Sequence, residues 1–215
     1  MFFDQFDEIY CINLAERTDR WKAVQAEFEK VKIHNRIKRF EALSGKTGFG
    51  FRKSEDGCRT SHVAVVKLAK EAGLKNVLVF EDDVTFVTDV PDLLVPQDYA
   101  LFYLGFYFKR GSFEKVNDDF LKLTSGCYCL HSYSVNYQCY DLFIRGEHSV
   151  LPIDIYCILE FQSKLNCYSF NPPVAFQNGS KSNLRQLTAN WLKLMVSNYN
   201  SYALRIGTKF IPPCS

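Results

Sequence analysis

A chain of 215 residues can bury one sizeable core and leaves little room for a second, so a single domain over 1–215 is expected. Hydrophobic residues at 47% and charged residues at 23% are ordinary globular values and exclude a disordered chain. The 26 Lys plus Arg nearly cancel the 24 Asp plus Glu, so no long-range field draws the protein to nucleic acid or to an anionic bilayer, and neither is expected as a partner.

In chain order, EIYCIN (Glu8–Asn13) reads as a strand, after which Trp21, Val24, Phe28 and Val31 recur at spacings of three and four, one face of a helix. RIKRFEAL (Arg36–Leu43) reads as a second strand, with Arg36, Lys38 and Arg39 as its solvated edge. Gly45, Gly48, Gly50 and Gly57 mark Ser44–Gly57 as a loop, and a helix over Arg59–Ala72 stops at Gly73. NVLVFE (Asn76–Glu81) is apolar almost throughout, as a parallel strand buried on both faces must be. This βαβαβ order predicts an α/β fold with a mainly parallel central sheet flanked by helices and a ligand crevice beyond the carboxyl ends of the strands.

Further on, YALFYLG (Tyr99–Gly105) and SGCYCLHSYS (Ser125–Ser134) read as a fourth and a fifth strand, the latter leading into a helix that ends near Gly146. Pro152 opens another helix to about Leu165, CYSFNPPVAFQ (Cys167–Gln177) reads as short strands interrupted by Pro172 and Pro173, and LRQLTANWLKLMV (Leu184–Val196) as an amphipathic helix. The eight cysteines are scattered, several inside apolar runs, and read as buried thiols. The opening MFFDQFDEIYCINL has no basic segment before its apolar residues, so no secretory signal is expected and a cytoplasmic location is the default. No apolar run approaches the ~18 residues of a membrane span.

Directly behind the third strand stand Glu81, Asp82 and Asp83. Like charges at a strand end need a cation, a basic partner or full exposure. Continued alternation would aim Glu81 and Asp83 at one point, a donor set for a hard divalent cation such as Mg²⁺ or Mn²⁺, although an exposed acidic turn is the competing reading. In GCRTSH (Gly57–His62), Ser61 and His62 fall at the expected start of the second helix, where free N–H groups favour an anion; His62 can equally be a core or capping residue. Cys58 has no identifiable group to activate it and reads as filler. Tyr103, Tyr107 and Tyr128 read as core, or as a wall on which a sugar stacks. His131 and His148 lack ligand-spaced partners and read as structural or surface residues.

The segments INLAERTDRW, RFEAL, GCRTSH, VFEDDV, YLG, SGCYCL, PIDIYC and NPPVAFQNGS occur in this order. The series, from about Glu8 to Ser182, resembles glycosyltransferase family 25, which includes bacterial lipooligosaccharide and collagen galactosyltransferases; large DNA viruses carry sugar transferases of this general kind, and a viral source would make the location host cytoplasm. The resemblance implies a GT-A type fold and transfer of a hexose, with inversion, from a nucleotide-diphosphate sugar such as a UDP-sugar to a hydroxyl of a glycan or glycoconjugate acceptor. It also implies Mn²⁺ or Mg²⁺ held by Glu81 and Asp83, with Asn13, Leu14, Arg17, Ala42, Ser61, His62, Asp82 and Gln177 around the nucleotide sugar. Arg20 belongs to the same opening motif as Arg17. Asp154, in PIDIYC, matches an acid near the acceptor and would take the attacking hydroxyl's proton; its competing role is a first-turn helix residue stabilised by the dipole. Asn178 departs from the family, which commonly has an acid there, and Gln177, Ser180 and Ser182 remain as polar candidates. Rival readings are a metal-dependent nucleotidyltransferase, weakened by the lack of a phosphate-binding loop, and a noncatalytic nucleotide-sugar or glycan-binding module.

Overall fold

The computed structural model describes residues 1–46, 52–178, 191–207, 209 and 211. Its first half follows the expected alternation: β1 (Glu8–Asn13), α1 (Thr18–Lys30), β2 (Ile37–Glu41), α2 (Lys53–Glu71) and β3 (Asn76–Glu81). β1 lies between β2 and β3 and runs parallel to both. The β1-to-β2 crossover and the β2-to-β3 crossover therefore step in opposite directions along the sheet, and right-handed connections put α1 and α2 on opposite faces. The cores confirm this: Val24 and Phe28 of α1 pack with Ile9, Cys11, Leu78 and Phe80, whereas Val63, Val66 and Ala69 of α2 pack with Ile12, Val77 and Val79. Alternate residues of β3 thus feed two cores, which is why the strand is apolar throughout. Burial is worth roughly 1.5–3 kcal/mol for each large apolar side chain.

Beyond β3 come β4 (Val84–Phe86), β5 (Leu101–Tyr103), β6 (Tyr107–Lys115), β7 (Phe120–Tyr128), β8 (Ser132–Asn136), α3 (Tyr140–Arg145), α4 (Ile153–Cys157, continued by a wide turn over Ile158–Gln162), β9 (Cys167–Phe170), β10 (Ala175–Gln177) and α5 (Trp191–Ile206). The fold is α/β, an eight-stranded sheet in the order β2-β1-β3-β8-β5-β9-β7-β6 flanked by helices, with β4 and β10 forming a separate two-stranded ribbon. Parallel pairing joins β2, β1 and β3, and again β5 and β9; the other neighbours are antiparallel. β6 and β7 follow one another with only a short turn between them and so pair as an antiparallel hairpin.

Three expectations are corrected. Ser125–Ser134 is not one strand: its first residues close β7, Cys129 turns the chain at φ 79°, and β8 begins at Ser132, so the β6–β7 hairpin escaped the sequence reading. The basic trio, Arg36 just before β2 with Lys38 and Arg39 on it, is not simply solvated, because Arg36 Nη2 donates to the Phe6 carbonyl at 2.7 Å and Arg39 stacks 5.0 Å above the Trp21 ring. α2 begins at Lys53 rather than Arg59, with the Glu55 carboxylate accepting the Arg52 N–H at 3.1 Å. The glycines had masked this start. Residues 184–190 of the last expected helix lie outside the described residues, as do Ser180 and Ser182.

Gly57 sits inside α2 for packing, not flexibility. A Cβ there would lie 2.7 Å from the Leu43 carbonyl oxygen and 2.9 Å from the Gly45 nitrogen, so only glycine lets the chain after β2 lie against the helix. Ala normally gains about 1 kcal/mol over Gly inside a helix. Here Gly57→Ala is expected to lose about 1–3 kcal/mol in urea unfolding, the usual scale of overpacking against backbone.

Candidate functional site

Chain connections leave β1 toward β2 on one side and β3 lies on the other, so the carboxyl ends of β1 and β3 flank a topological switch point, where open α/β sheets form their ligand crevices. A cavity of about 430 Å³ opens there. Of the residues singled out from the sequence, Asn13, Leu14, Ala42, Ser61, His62, Glu81, Asp82, Asp83 and Gln177 line it, together with Arg20, Lys53 and Cys58. Gln177 arrives from a distant part of the chain because β10 pairs with β4, setting Gln177 opposite Val84; the Asn178 N–H donates to the Asp83 carbonyl at 2.7 Å.

Asp82 and Asp83 are buried, Glu81 is partly exposed, and all three are internally partnered. Strand geometry stops at Glu81, so the alternation expected to align Glu81 with Asp83 does not continue; Asp82 and Asp83 occupy a turn. Arg20, in the first turns of α1, lies 2.9 Å from Asp82 Oδ1 through Nη1 and 2.7 Å from Asp83 Oδ2 through Nη2. Asn13 Nδ2 donates to Asp82 Oδ2 at 2.6 Å, and Asn13 Oδ1 accepts from Arg39 Nε at 3.0 Å. Glu81 points the other way, toward α2, where its Oε1 lies 3.0 Å from His62 Nε2; its Oε2 accepts from Gln177 Nε2 at 3.2 Å. His62 Nδ1 in turn lies 2.9 Å from the Tyr133 hydroxyl. Five of the six carboxylate oxygens therefore have a protein partner. The sixth, Asp83 Oδ1, is buried with no hydrogen-bond partner among the described residues.

These surroundings shift the acids in opposite senses. Burial, reinforced by the Glu81 charge and opposed by Arg20, pushes Asp83 up to about 7. Burial also raises Asp82, against the pull of Arg20 and Asn13. Glu81 is raised by burial too, but the hydrogen bond and charge of His62 outweigh it and hold the carboxyl below its ordinary value.

Other sequence candidates fall in different places. Arg17 does not line the cavity; it binds Asp19 in bidentate fashion, 2.9 Å on each arm, and Arg20 is the arginine that meets the acids. The signal for Arg20 was its position: helix side chains lean toward the N-terminus, which after β1 means toward the strand ends. Ser61 and His62 are not at a helix start but two turns inside α2, so their N–H groups offer no anion site there. Ser61 instead tethers the chain after β2, its Oγ donating to the Gly57 carbonyl at 2.6 Å and accepting the Leu43 N–H at 2.8 Å. Asp154 stands in the first turn of α4, its Oδ1 accepting the Ile155 N–H at 2.8 Å; it is not among the cavity-lining residues, although its charge reaches Cys58 on the wall. Cys58, read as filler, lines the cavity with Sγ 3.9 Å from Glu81 Oε1. Tyr103 is core, receiving Gln162 Nε2 on its hydroxyl at 3.3 Å, and Tyr107 and Tyr128 face each other across the β6–β7 hairpin; none of the three lines the cavity. His131 is buried against the Ala175 carbonyl, and burial brings it down to about 4. His148 is exposed. Among the described residues no helix is long and apolar enough to cross a membrane.

No protein-family model matches the chain. Over 103 residues, 38% of the chain, it is 31% identical to the human protein "Inactive glycosyltransferase 25 family member 3", and 29% identical over a match of equal length to the bovine "Probable inactive glycosyltransferase 25 family member 3". Each match spans 17% of the relative's length. This is distant similarity to family 25, over a smaller share of the chain than the ordered segments suggested. Among solved structures, a glycosyltransferase involved in glycosylation of the major capsid of PBCV-1 aligns at 11% identity and a TM-score of 0.39, covering 63% of this chain and 62% of that one. A197 from STIV aligns at 11% identity and a TM-score of 0.45, covering 79% and 83%.

Two outcomes test the electrostatics. Removing one member of a buried ion pair strands the other, so Arg20→Ala is expected to cost about 3–5 kcal/mol in urea unfolding at neutral pH, with part recovered when Asp83→Asn is added. Asp83 is raised from 3.8 to about 7 on folding, so between those values the folded chain keeps a proton that the unfolded chain has lost. Its contribution to stability is fully present below about 4 and falls as pH rises to about 7; Glu81, being lowered, contributes stability that is instead lost as pH falls. The stability of Asp83→Asn relative to the unsubstituted protein should therefore improve from pH 4 to 7, at up to about 1.4 kcal/mol per pH unit, whereas a pH-independent difference would contradict the assignment.

Proposed function

We propose that this chain is a GT-A type glycosyltransferase that moves a hexose from a nucleotide-diphosphate sugar, taken to be a UDP-sugar, to a hydroxyl of a glycan or glycoconjugate acceptor, with inversion. The observation that carries the reading is the switch-point cavity with a buried acidic pair at its wall and one oxygen, Asp83 Oδ1, lacking a donor among the described residues. Distant family 25 similarity supports the same class.

A buried carboxylate with a spare oxygen suits a hard cation, and Asp83 would hold Mn²⁺ or Mg²⁺, whereas Glu81, expected to share the ion, is turned toward His62 and Gln177. When bound, the ion would neutralise charge developing on the departing diphosphate. Arg20 orients Asp82 and Asp83, and Asn13 pins the Asp82 carboxylate in place to accept a hydroxyl of the donor ribose. Lys53 adds positive charge to the wall and would face the diphosphate. Asp154 would take the acceptor's proton as the new bond to the anomeric carbon forms and the bond to the diphosphate oxygen breaks. Free thiols at the seven described cysteines fit a cytoplasmic setting.

A noncatalytic nucleotide-sugar-binding module is the second reading. It is favoured by the word "inactive" in the names of both relatives and by the carboxylate oxygens already taken by protein donors.

A thermal-shift panel of nucleotide sugars with and without Mn²⁺ tests binding. A ligand at about 100 times its Kd adds about 2.7 kcal/mol, a rise of roughly 5–10 °C for a chain of this size. The expected result is a rise with one UDP-sugar that requires Mn²⁺ and disappears in Asp83→Asn; no rise with any nucleotide sugar would overturn the reading. Asp154→Ala then separates enzyme from module: an enzyme keeps donor binding and slows transfer by about 10²–10⁴, and a module transfers nothing in either form.

A further inference from the structure

We propose that Cys58, His62 and Glu81 form a three-ligand site for a thiophilic transition-metal ion, Zn²⁺ or Co²⁺, on the wall of the switch-point cavity. This site lies on the α2 side of the cavity, apart from the hard cation proposed at Asp83, and does not depend on any sugar-transfer activity. Cys58 and His62 stand four residues apart on α2 and so present side chains on one face, and β3 delivers Glu81 to the same face. One ligand atom from each lies within 4.8 Å of the other two. His62 Nε2 is 3.0 Å from Glu81 Oε1, and Cys58 Sγ is 3.9 Å from the same oxygen. Four-coordinate zinc, with bonds of about 2.0–2.3 Å, separates its ligand atoms by roughly 3.3–3.8 Å, so small side-chain rotations close the shell.

Two further contacts orient the ligands as such a site needs. Tyr133, fully buried, holds His62 Nδ1 at 2.9 Å and leaves Nε2 directed at Glu81, the outer-sphere bond that metal-binding histidines commonly make. Gln177 holds the far oxygen of Glu81, leaving Oε1 for the ion. All three ligands line the cavity, so an ion has an entry path and its fourth position faces space for water. Without metal, burial and the charges of Glu81 and Asp154 keep the Cys58 thiol protonated and unreactive. Metal binding replaces that proton and the one held between His62 Nε2 and Glu81 Oε1, and both leave to solvent. Thiolate and imidazole prefer Zn²⁺ and Co²⁺ to Mg²⁺ and Mn²⁺, so donor chemistry separates this site from the all-carboxylate one.

The test is a Co²⁺ titration of the whole, metal-free chain, followed by absorption spectroscopy with no nucleotide or sugar present. The expected result is a near-ultraviolet thiolate-to-cobalt charge-transfer band with visible bands typical of four-coordinate cobalt. Cys58→Ser abolishes the charge-transfer band, His62→Gln weakens binding at least tenfold, Tyr133→Phe weakens it on the order of tenfold, and Asp83→Asn leaves the spectrum unchanged. A charge-transfer band that is absent, that survives Cys58→Ser, or that vanishes in Asp83→Asn overturns the proposal. Should Cys58→Ser fail to fold, cobalt affinity unchanged in both His62→Gln and Tyr133→Phe overturns it equally. Loss of sugar transfer or of donor binding has no bearing on these readouts, so failure of the enzymatic reading and failure of this site are separable.

Discussion

Three carboxylates crowded at the end of one strand, two buried and one partly exposed, repel one another, and the architecture around β3 holds them in place nonetheless. Their partners come from four separate segments: Arg20 from α1, Asn13 from β1, His62 from α2 and Gln177 from β10. Each contact draws a different element against the end of β3, so site electrostatics and tertiary packing are one problem. Taking like charges out of water costs several kcal/mol per ion, a cost that a protein accepts only where partners are supplied by geometry. The partition is uneven. Arg20 serves Asp82 and Asp83 on the α1 face, while Glu81 is paired with His62 on the α2 face.

That partition follows from the crossovers. Because α1 and α2 cover opposite faces, an acid on the last residue of β3 meets α2, and acids in the turn beyond it meet α1. The same geometry opens the cavity, since β1 and β3 send their connections apart. Glycine at position 57 and the Ser61 tether then bring the chain after β2 onto α2, which closes one wall. Chemistry at the site thus inherits its layout from strand order, and its two walls differ in kind: carboxylate and guanidinium on one side, thiol and imidazole on the other.

This division bears on how such a cavity can be used. The acidic wall has an internal cation in Arg20, so any added ion or ligand there enters an environment already partly neutralised. The α2 wall has soft donors held by outer contacts. A cavity with both surfaces can discriminate between ligands by donor chemistry rather than by size.

Residue order alone determined the elements of the first half. Continuous apolar runs at β1 and β3, the three-and-four spacing of Trp21, Val24 and Phe28, and Gly73 after α2 leave little choice, because these patterns are local and each reports its own period. The acidic cluster and its position behind β3 were equally legible, as was the crevice at the strand ends. What tertiary structure decided was which side chains meet there. Asn13 and Asp82 are 69 residues apart and Gln177 and Glu81 are 96 apart, distances bridged only once strand order and the β4–β10 pairing exist. Arg20 rather than Arg17 reaches the acids, and Cys58 joins the cavity wall, for the same reason: a local pattern gives the face of an element, but the neighbour on that face comes from packing.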